Sequence, residues 1–475
     1  MLGVKGVVIV LAALVFAPAA HAGGPFMQVG AAEDNPKQAT LVAAKAKMTL
    51  AQLAGLRTIR LTVLWRPGLE APAPAEREAL ENAAGAGRLT GISTVVSVYP
   101  FGSSVTPLTP AARAEFAAFS AAVVRLGFLD LIVGNEPNLN RFWLPQFAAD
   151  GSNAAATSFL PLLAETYDAV KAVQPRARIW GLGLSPRGSD NPALSRHTHS
   201  PTAFIRDLGT VYRASGRTRP IMDGLAIHPY GDNSSQGPKS SAHPNSTSIG
   251  VADYDKLVGL LREAFDGTAQ AGSTLPIIYD EYGVEVQIPA AKEARYNGTE
   301  PTTTRPVTPE TQARFYREAI EMAFCQPNVR GIYLFHVEDE EARAAWQSGL
   351  YDLAGDARPA RDVVRTAAEH VRRGIVARCN LQLVPRVGLR RLPDEFAVRL
   401  RFSTNLDSTY RVRLLRADGS VAGSASGRVV GGTQKVVRLR KPVSRTGLFR
   451  FEVTLRAVAN PAPPQPALST PFRIT

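Results

Sequence analysis

The stretch AARAEFAAFSAAVVRLGFLDLIVGNEP, residues 111 to 137, holds one whole unit of the fold. Residues 111–126 carry apolar side chains at a helical period, and 129–135 form a short apolar run of the kind buried on both faces of a parallel sheet. Pro137 has no N–H to give a ladder, so the run ends there. Outward from this unit the alternation recurs. Strand candidates fall at 26–31, 58–65, 92–99, 129–135, 178–184, 223–228, 276–281 and 330–336. Helical patterns lie between them, clearest at 111–126, 154–173, 254–271, 309–324 and 360–373. Eight such units within residues 23–378 predict an α/β fold, a closed (β/α)8 TIM barrel. An open doubly wound sheet is the rival; the count of eight and the lack of Gly-x-Gly-x-x-Gly after the first strand speak against it. Pro67, Pro100, Pro137, Pro186 and Pro229 each fall within two residues of a strand's C-terminal end, the end that carries the active site in a barrel.

After Cys379 the pattern changes. Residues 381–475 show short alternating runs broken by turn signals such as Ala417-Asp418-Gly419-Ser420, which predicts a small all-β, sandwich-like domain. This segment holds 17 Lys plus Arg against 5 Asp plus Glu, so it carries +12 of the chain's net +13. Its arginines alternate with apolar residues, as in Arg411-Val412-Arg413-Leu414, the pattern of a half-buried strand with a basic outer face. Such a face is either an ordinary soluble surface or a patch for an anionic cell-envelope polymer. Nucleic acid is not expected, because no aromatic platform is interleaved.

The 475 residues, 45% hydrophobic and 20% charged, exclude wholesale disorder, and two cysteines exclude a disulfide-framed scaffold or a four-cysteine zinc site. Lys5, the apolar run 7–16 and Ala20-His21-Ala22 read as a signal peptide over 1–22, cleaved before Gly23. The run is too short to span a membrane, so a secreted protein is expected, extracellular or periplasmic and not integral to a membrane. In that oxidising setting Cys325 and Cys379 are expected to form a disulfide.

Two strand ends carry chemistry. Leu131-Ile132-Val133-Gly134-Asn135-Glu136-Pro137-Asn138 and Pro276-Ile277-Ile278-Tyr279-Asp280-Glu281-Tyr282-Gly283 each deliver a glutamate to the tip of a buried strand. Strands four and seven face each other across a barrel mouth, and two carboxyl groups flanking a cavity are what glycosidic bond cleavage requires. Asn135-Glu136-Pro137 and Glu281-Tyr282-Gly283 resemble the acid/base and nucleophile signatures of the clan of retaining (β/α)8 glycoside hydrolases that includes cellulase-like family 5 and xylosidase-like family 39. The resemblance covers roughly residues 26–373. It implies Glu136 as acid/base and Glu281 as nucleophile, with no cofactor and no metal. It also implies that Arg60 hydrogen-bonds the nucleophile and that Asn135 contacts the sugar 2-hydroxyl. His228 or Tyr230 would orient the nucleophile and line the subsite. Many clan members end strand eight in a tryptophan platform; here the run is Tyr333-Leu334-Phe335-His336, and Phe335 or His336 would substitute. The substrate implied is a polysaccharide or oligosaccharide. A non-hydrolytic carbohydrate-binding barrel and a transglycosylase using the same glutamates are the alternatives. Glu338-Asp339-Glu340-Glu341 is expected to be a solvated loop, and His197-Thr198-His199 a loop without a third metal ligand.

Overall fold

The computed structural model describes residues 27–373 without a break and, beyond them, 384–386, 396–403, 407–430, 433–441, 447–458, 465–468 and 472–474. The signal-peptide segment and the expected boundary at 378–381 lie outside the described residues.

Eight parallel strands close into a barrel in sequence order: β1 (Gln28–Ala32), β2 (Thr58–Trp65), β3 (Ser93–Pro100), β4 (Asp130–Val133), β5 (Arg178–Leu184), β6 (Gly224–Ile227), β7 (Ile277–Tyr282) and β8 (Val329–Phe335). The closing pair runs from Gln28↔Gly331 to Ala32↔Phe335. Helices α1 (Leu41–Leu53), α2 (Pro74–Thr90), α3 (Pro110–Arg125), α4 (Ala154–Val173), α5 (Pro201–Ala214), α6 (Tyr254–Phe265), α7 (Pro309–Phe324) and α8 (Pro359–Arg373) follow the strands in turn. Their starts are written locally. Thr109, Ser200 and Thr308 cap α3, α5 and α7 with their side chains, each ahead of a proline at the start of the helix. The helices' apolar faces pack on the outside of the strands in one continuous core.

Two boundaries differ from the expected ones for a physical reason. Helix α6 stops at Phe265 rather than 271, because Gly267 turns the chain at φ +81°. Strand β4 stops at Val133 rather than 135, because Gly134 takes φ +102°. A Cβ at Gly134 would lie 2.8 Å from the Phe159 ring, so only glycine fits this exit.

The described part of the C-terminal region is all-β, as expected. A three-stranded antiparallel sheet has the order β13 (Gln434–Lys441), β10 (Phe396–Ser403), β9 (Val384–Arg386). The other sheet runs β12 (Val421–Val429), β11 (Ser408–Arg416), β14 (Gly447–Ala457), β15 (Gln465–Leu468), with β16 (Phe472–Ile474) also on β14. Along β11, Tyr410, Val412 and Leu414 are buried while Arg411 and Arg416 are exposed, which is the alternation the sequence predicts. Cys325 follows α7 at its C-cap, whereas Cys379 lies outside the described residues, and the expected pairing with it. No helix among the described residues is long and apolar enough to cross a membrane.

Candidate active site

Strand periodicity builds the site in layers. Val95, Ile132, Trp180, Ala226, Ile278 and Tyr333, one from each of six consecutive strands, form a buried apolar cluster of their own that plugs the barrel. Side chains alternate across a strand, so the next inward positions lie two residues on. They are Ser97, Gly134, Leu182, His228, Asp280 and Phe335. Arg60, opposite Val95 in the β2–β3 register, reaches up from the same depth. The barrel is therefore apolar below and charged above.

By that alternation Asp280 faces inward and Glu281 should face out. The register of β7 against β8 resolves this: Tyr279 pairs with Ile332 but Tyr282 with Leu334, so β7 carries one extra residue. Such a bulge re-aims side chains, and both acids reach the interior. On β4 the left-handed Gly134 and Glu136, the latter at φ +45°, turn the chain over the mouth. The Glu136 amide donates to the Gly183 carbonyl at 2.7 Å.

These elements converge on one network. Arg60 Nη1 donates to Glu281 Oε1 at 2.8 Å, and Nη2 donates to Asn135 Oδ1 at 3.0 Å and to Ser97 Oγ at 3.1 Å. The Tyr230 hydroxyl donates to Glu281 Oε2 at 3.0 Å. His228 Nδ1 lies 3.1 Å from Glu136 Oε1 and 3.4 Å from Glu281 Oε2, and its Nε2 lies 3.3 Å from Asp280 Oδ2. Asp280 also faces Arg60 Nε at 3.5 Å. Arg60, Asn135, His228 and Tyr230 thus all meet Glu136 or Glu281 directly or through one another, and both candidates for orienting Glu281 touch it.

The electrostatics follow from burial and pairing. His228 has no exposed surface. Burial alone would strip its proton, yet Glu281 and Asp280 outweigh that and push its pKa up to about 10, so the ring is an imidazolium at neutral pH. Burial acts to raise the Asp280 pKa, and the charges of His228 and Arg60 overcome it and hold this carboxyl below its usual value.

Phe335 and His336 stand together at the end of β8, their ring centroids 3.5 Å apart. The Phe335 ring stays at the mouth, where it meets Trp346 edge-on with centroids 5.4 Å apart. His336 Nδ1 donates to the Ala32 carbonyl at 2.7 Å, across the β1–β8 seam. Trp346, half-buried in the loop after β8, also lies 5.0 Å from the Tyr230 ring. Its indole therefore stands beside both Tyr230 and Phe335. Nothing local in the sequence marks it, whereas Asp280 is marked by two consecutive acids ending an apolar strand.

The acidic loop is only partly solvated. Glu340 and Glu341 are exposed, but Asp339 is buried, paired with Arg358 and accepting from the Tyr296 hydroxyl at 2.6 Å, because it anchors the β8–α8 loop. His199 is a packing residue, stacked on Phe147 and bonded to the Gln146 carbonyl at 2.8 Å.

Glu285, just beyond β7, is buried with Oε2 unpartnered. Burial first, then Glu300, pushes its pKa up to about 8. A carboxyl that keeps its proton in the folded state while the unfolded chain has lost it removes stability as pH rises from about 4.3 to about 8. Glu285→Gln is therefore expected to raise the melting temperature at pH 8 by about 2 °C or more and to leave it nearly unchanged at pH 4.5. Differential scanning calorimetry at the two pH values reads this, and equal shifts at both would refute it.

No protein-family model matches the chain, and no curated protein matches its sequence. Solved structures of similar shape include a glucosidase from Croceicoccus marinus, at 13% identity and TM-score 0.46, covering 91% of this chain and 96% of that one. An exo-β-1,4-mannosidase from Opitutaceae bacterium strain TAV5 matches at 16% identity and TM-score 0.45, over 74% of this chain and 60% of that one. An FMN-binding β-glucuronidase from Facaelibacterium prausnitzii L2-6 matches at 12% identity and TM-score 0.43, over 94% of this chain. The chain spans 58% of the length of that β-glucuronidase.

Proposed function

We propose that this protein is a retaining glycoside hydrolase that cleaves O-glycosidic bonds of an oligosaccharide or polysaccharide by double displacement. The observation that carries the proposal is the contact shared at His228. Its Nδ1 is 3.1 Å from one glutamate oxygen and 3.4 Å from the other, so those oxygens lie no farther apart than the sum, roughly 6.5 Å. That bound concerns this one pair of oxygens and is compatible with the ~5–5.5 Å between the carboxyl groups of a retaining pair.

Glu136 gives its proton to the glycosidic oxygen as that C–O bond breaks, and Glu281 attacks the anomeric carbon to form an ester. Water then attacks the same carbon, yielding its proton to Glu136 and releasing Glu281 as a carboxylate. Negative charge sits on Glu281 in the free enzyme and on Glu136 in the intermediate. The single Nδ1–H of His228 lies between them and donates to whichever is charged, with little reorganisation. Arg60 occupies Asn135 Oδ1, which leaves the Asn135 amide N–H groups to donate to the 2-hydroxyl. Trp346, Tyr230 and Phe335 offer an aromatic wall for the sugar ring.

Export and an anionic envelope polymer as a partner belong to the same proposal. Residues 1–22 support the first, and the outward arginines of β11 support the second.

The test is stereochemical. Proton NMR of the first-formed product from an activated glycoside is expected to show the substrate's own anomeric configuration, and a 2-deoxy-2-fluoro glycoside is expected to label the peptide containing Glu281. An inverted first product would refute double displacement.

A further inference from the structure

The rim over β2, β3 and β4 carries a pattern that bond cleavage does not use. Arg66 is the first residue after β2 and Phe101 the first after β3, and the register ending at Trp65↔Pro100 sets them side by side. The Arg66 guanidinium carbon lies 3.3 Å from the centroid of the Phe101 ring, and that ring is 46% exposed. On the next loop Arg141 stands 5.3 Å from the centroid of Phe142, which packs edge-on against Tyr99 at 6.3 Å. Tyr99 shares the inward parity of Ser97 and Phe101, and its hydroxyl senses the charges of Arg60 and Glu281. The rim thus runs inward toward Arg60 and Glu281.

What this rim takes follows from how its arginines are held. A guanidinium stacked by its face keeps its in-plane N–H donors free, in the fork that matches a carboxylate. Among the described residues neither Arg66 nor Arg141 donates a side-chain hydrogen bond or forms an ion pair; Glu76 is the carboxyl that senses Arg66. On other βα loops Arg187, Arg343 and Arg358 are paired with Asp232, Glu293 and Asp339. The loop after β8 is acidic instead, with Glu338, Asp339, Glu340 and Glu341 ahead of Arg343.

We propose that Arg66 and Arg141, fixed by the rings beneath them, form a subsite for a carboxylate-bearing sugar, which makes the substrate a uronate-containing glycan. This rests on the hydrolase reading and names its substrate class.

The test uses the full chain carrying Glu281→Gln, so that ligand is not consumed. Calorimetry compares α-galacturonate, β-glucuronate and β-mannuronate tetrasaccharides with their carboxyl-reduced counterparts. At least one uronate is expected to bind about tenfold or more tighter than its reduced form, with the advantage shrinking as salt rises. Adding Arg66→Gln and Arg141→Gln is expected to remove that advantage while the reduced form binds as before. A reduced form that binds as tightly as its uronate, or an advantage that survives loss of both arginines, overturns the subsite. If in addition the wild type cleaves neutral glycosides with retention, the hydrolase reading stands without it. If no saccharide binds and the wild type cleaves none, both fall together.

Discussion

Glu281→Gly is expected to lose at least about 10⁴-fold in kcat on a glycoside that the wild type cleaves, and to regain turnover when azide is added. Glycine removes the carboxylate that would form the ester, and it leaves a space beside the anomeric carbon that a small anion fills. Azide then attacks from the face Glu281 used, so the product is a glycosyl azide of inverted configuration. Glu136 is untouched and still protonates the leaving group. The fold should survive, because Arg60 keeps Asn135, Ser97 and Asp280 as partners when Glu281 is gone. A folded variant that azide does not revive would remove Glu281 from the role of nucleophile.

Asp280→Asn is expected to show whether the site depends on a permanently charged His228. Asp280 is fully buried and never meets substrate, so it is a positioning residue acting through the imidazole. In the wild type the ring keeps its proton to about pH 10. Removing one of its two main counter-charges leaves the burial penalty in place, and the imidazole should titrate about two pH units lower. Nitrogen-15 NMR of the labelled histidines reads this directly, without a substrate. The sign for stability follows from the same shift. A histidine pKa raised above its unfolded value of about 6.5 stabilises fully below that pH and loses the contribution as pH rises toward about 10. Asp280→Asn should therefore lower the melting temperature at pH 6 to 8 and shift the alkaline limb of kcat/KM downward. A purely structural role for Asp280 would lower stability and leave the His228 titration unmoved; that result would refute the relay.

The folding pattern was readable because it is written in short-range terms. An apolar run recurs eight times, with a clear helix period in five of the gaps and a proline closing five of the runs, and each unit can be recognised without knowing its neighbours. Glu136 and Glu281 were readable for a related reason, since a carboxylate ending a buried strand has no local purpose. Arg60 and Asn135 came only with the family resemblance, and in the structure Arg60 bonds both Glu281 and Asn135. The partner of His336 was not readable, because the Ala32 carbonyl lies 304 residues away across the closing seam of the barrel.

The sequence by itself determined the barrel, its mouth and the two acids, because strand alternation and chain termination depend on near neighbours. Tertiary structure alone decided that Asp280 and Glu281 both face inward, since that depends on one extra residue in β7 relative to β8. It alone brought Trp346 to Tyr230 and set Arg66 on Phe101, because these contacts join loops from different strands. The distance between the glutamates belongs to the same class: it is set by how barrel closure brings β4, β6 and β7 around His228, and no local pattern of residues encodes it.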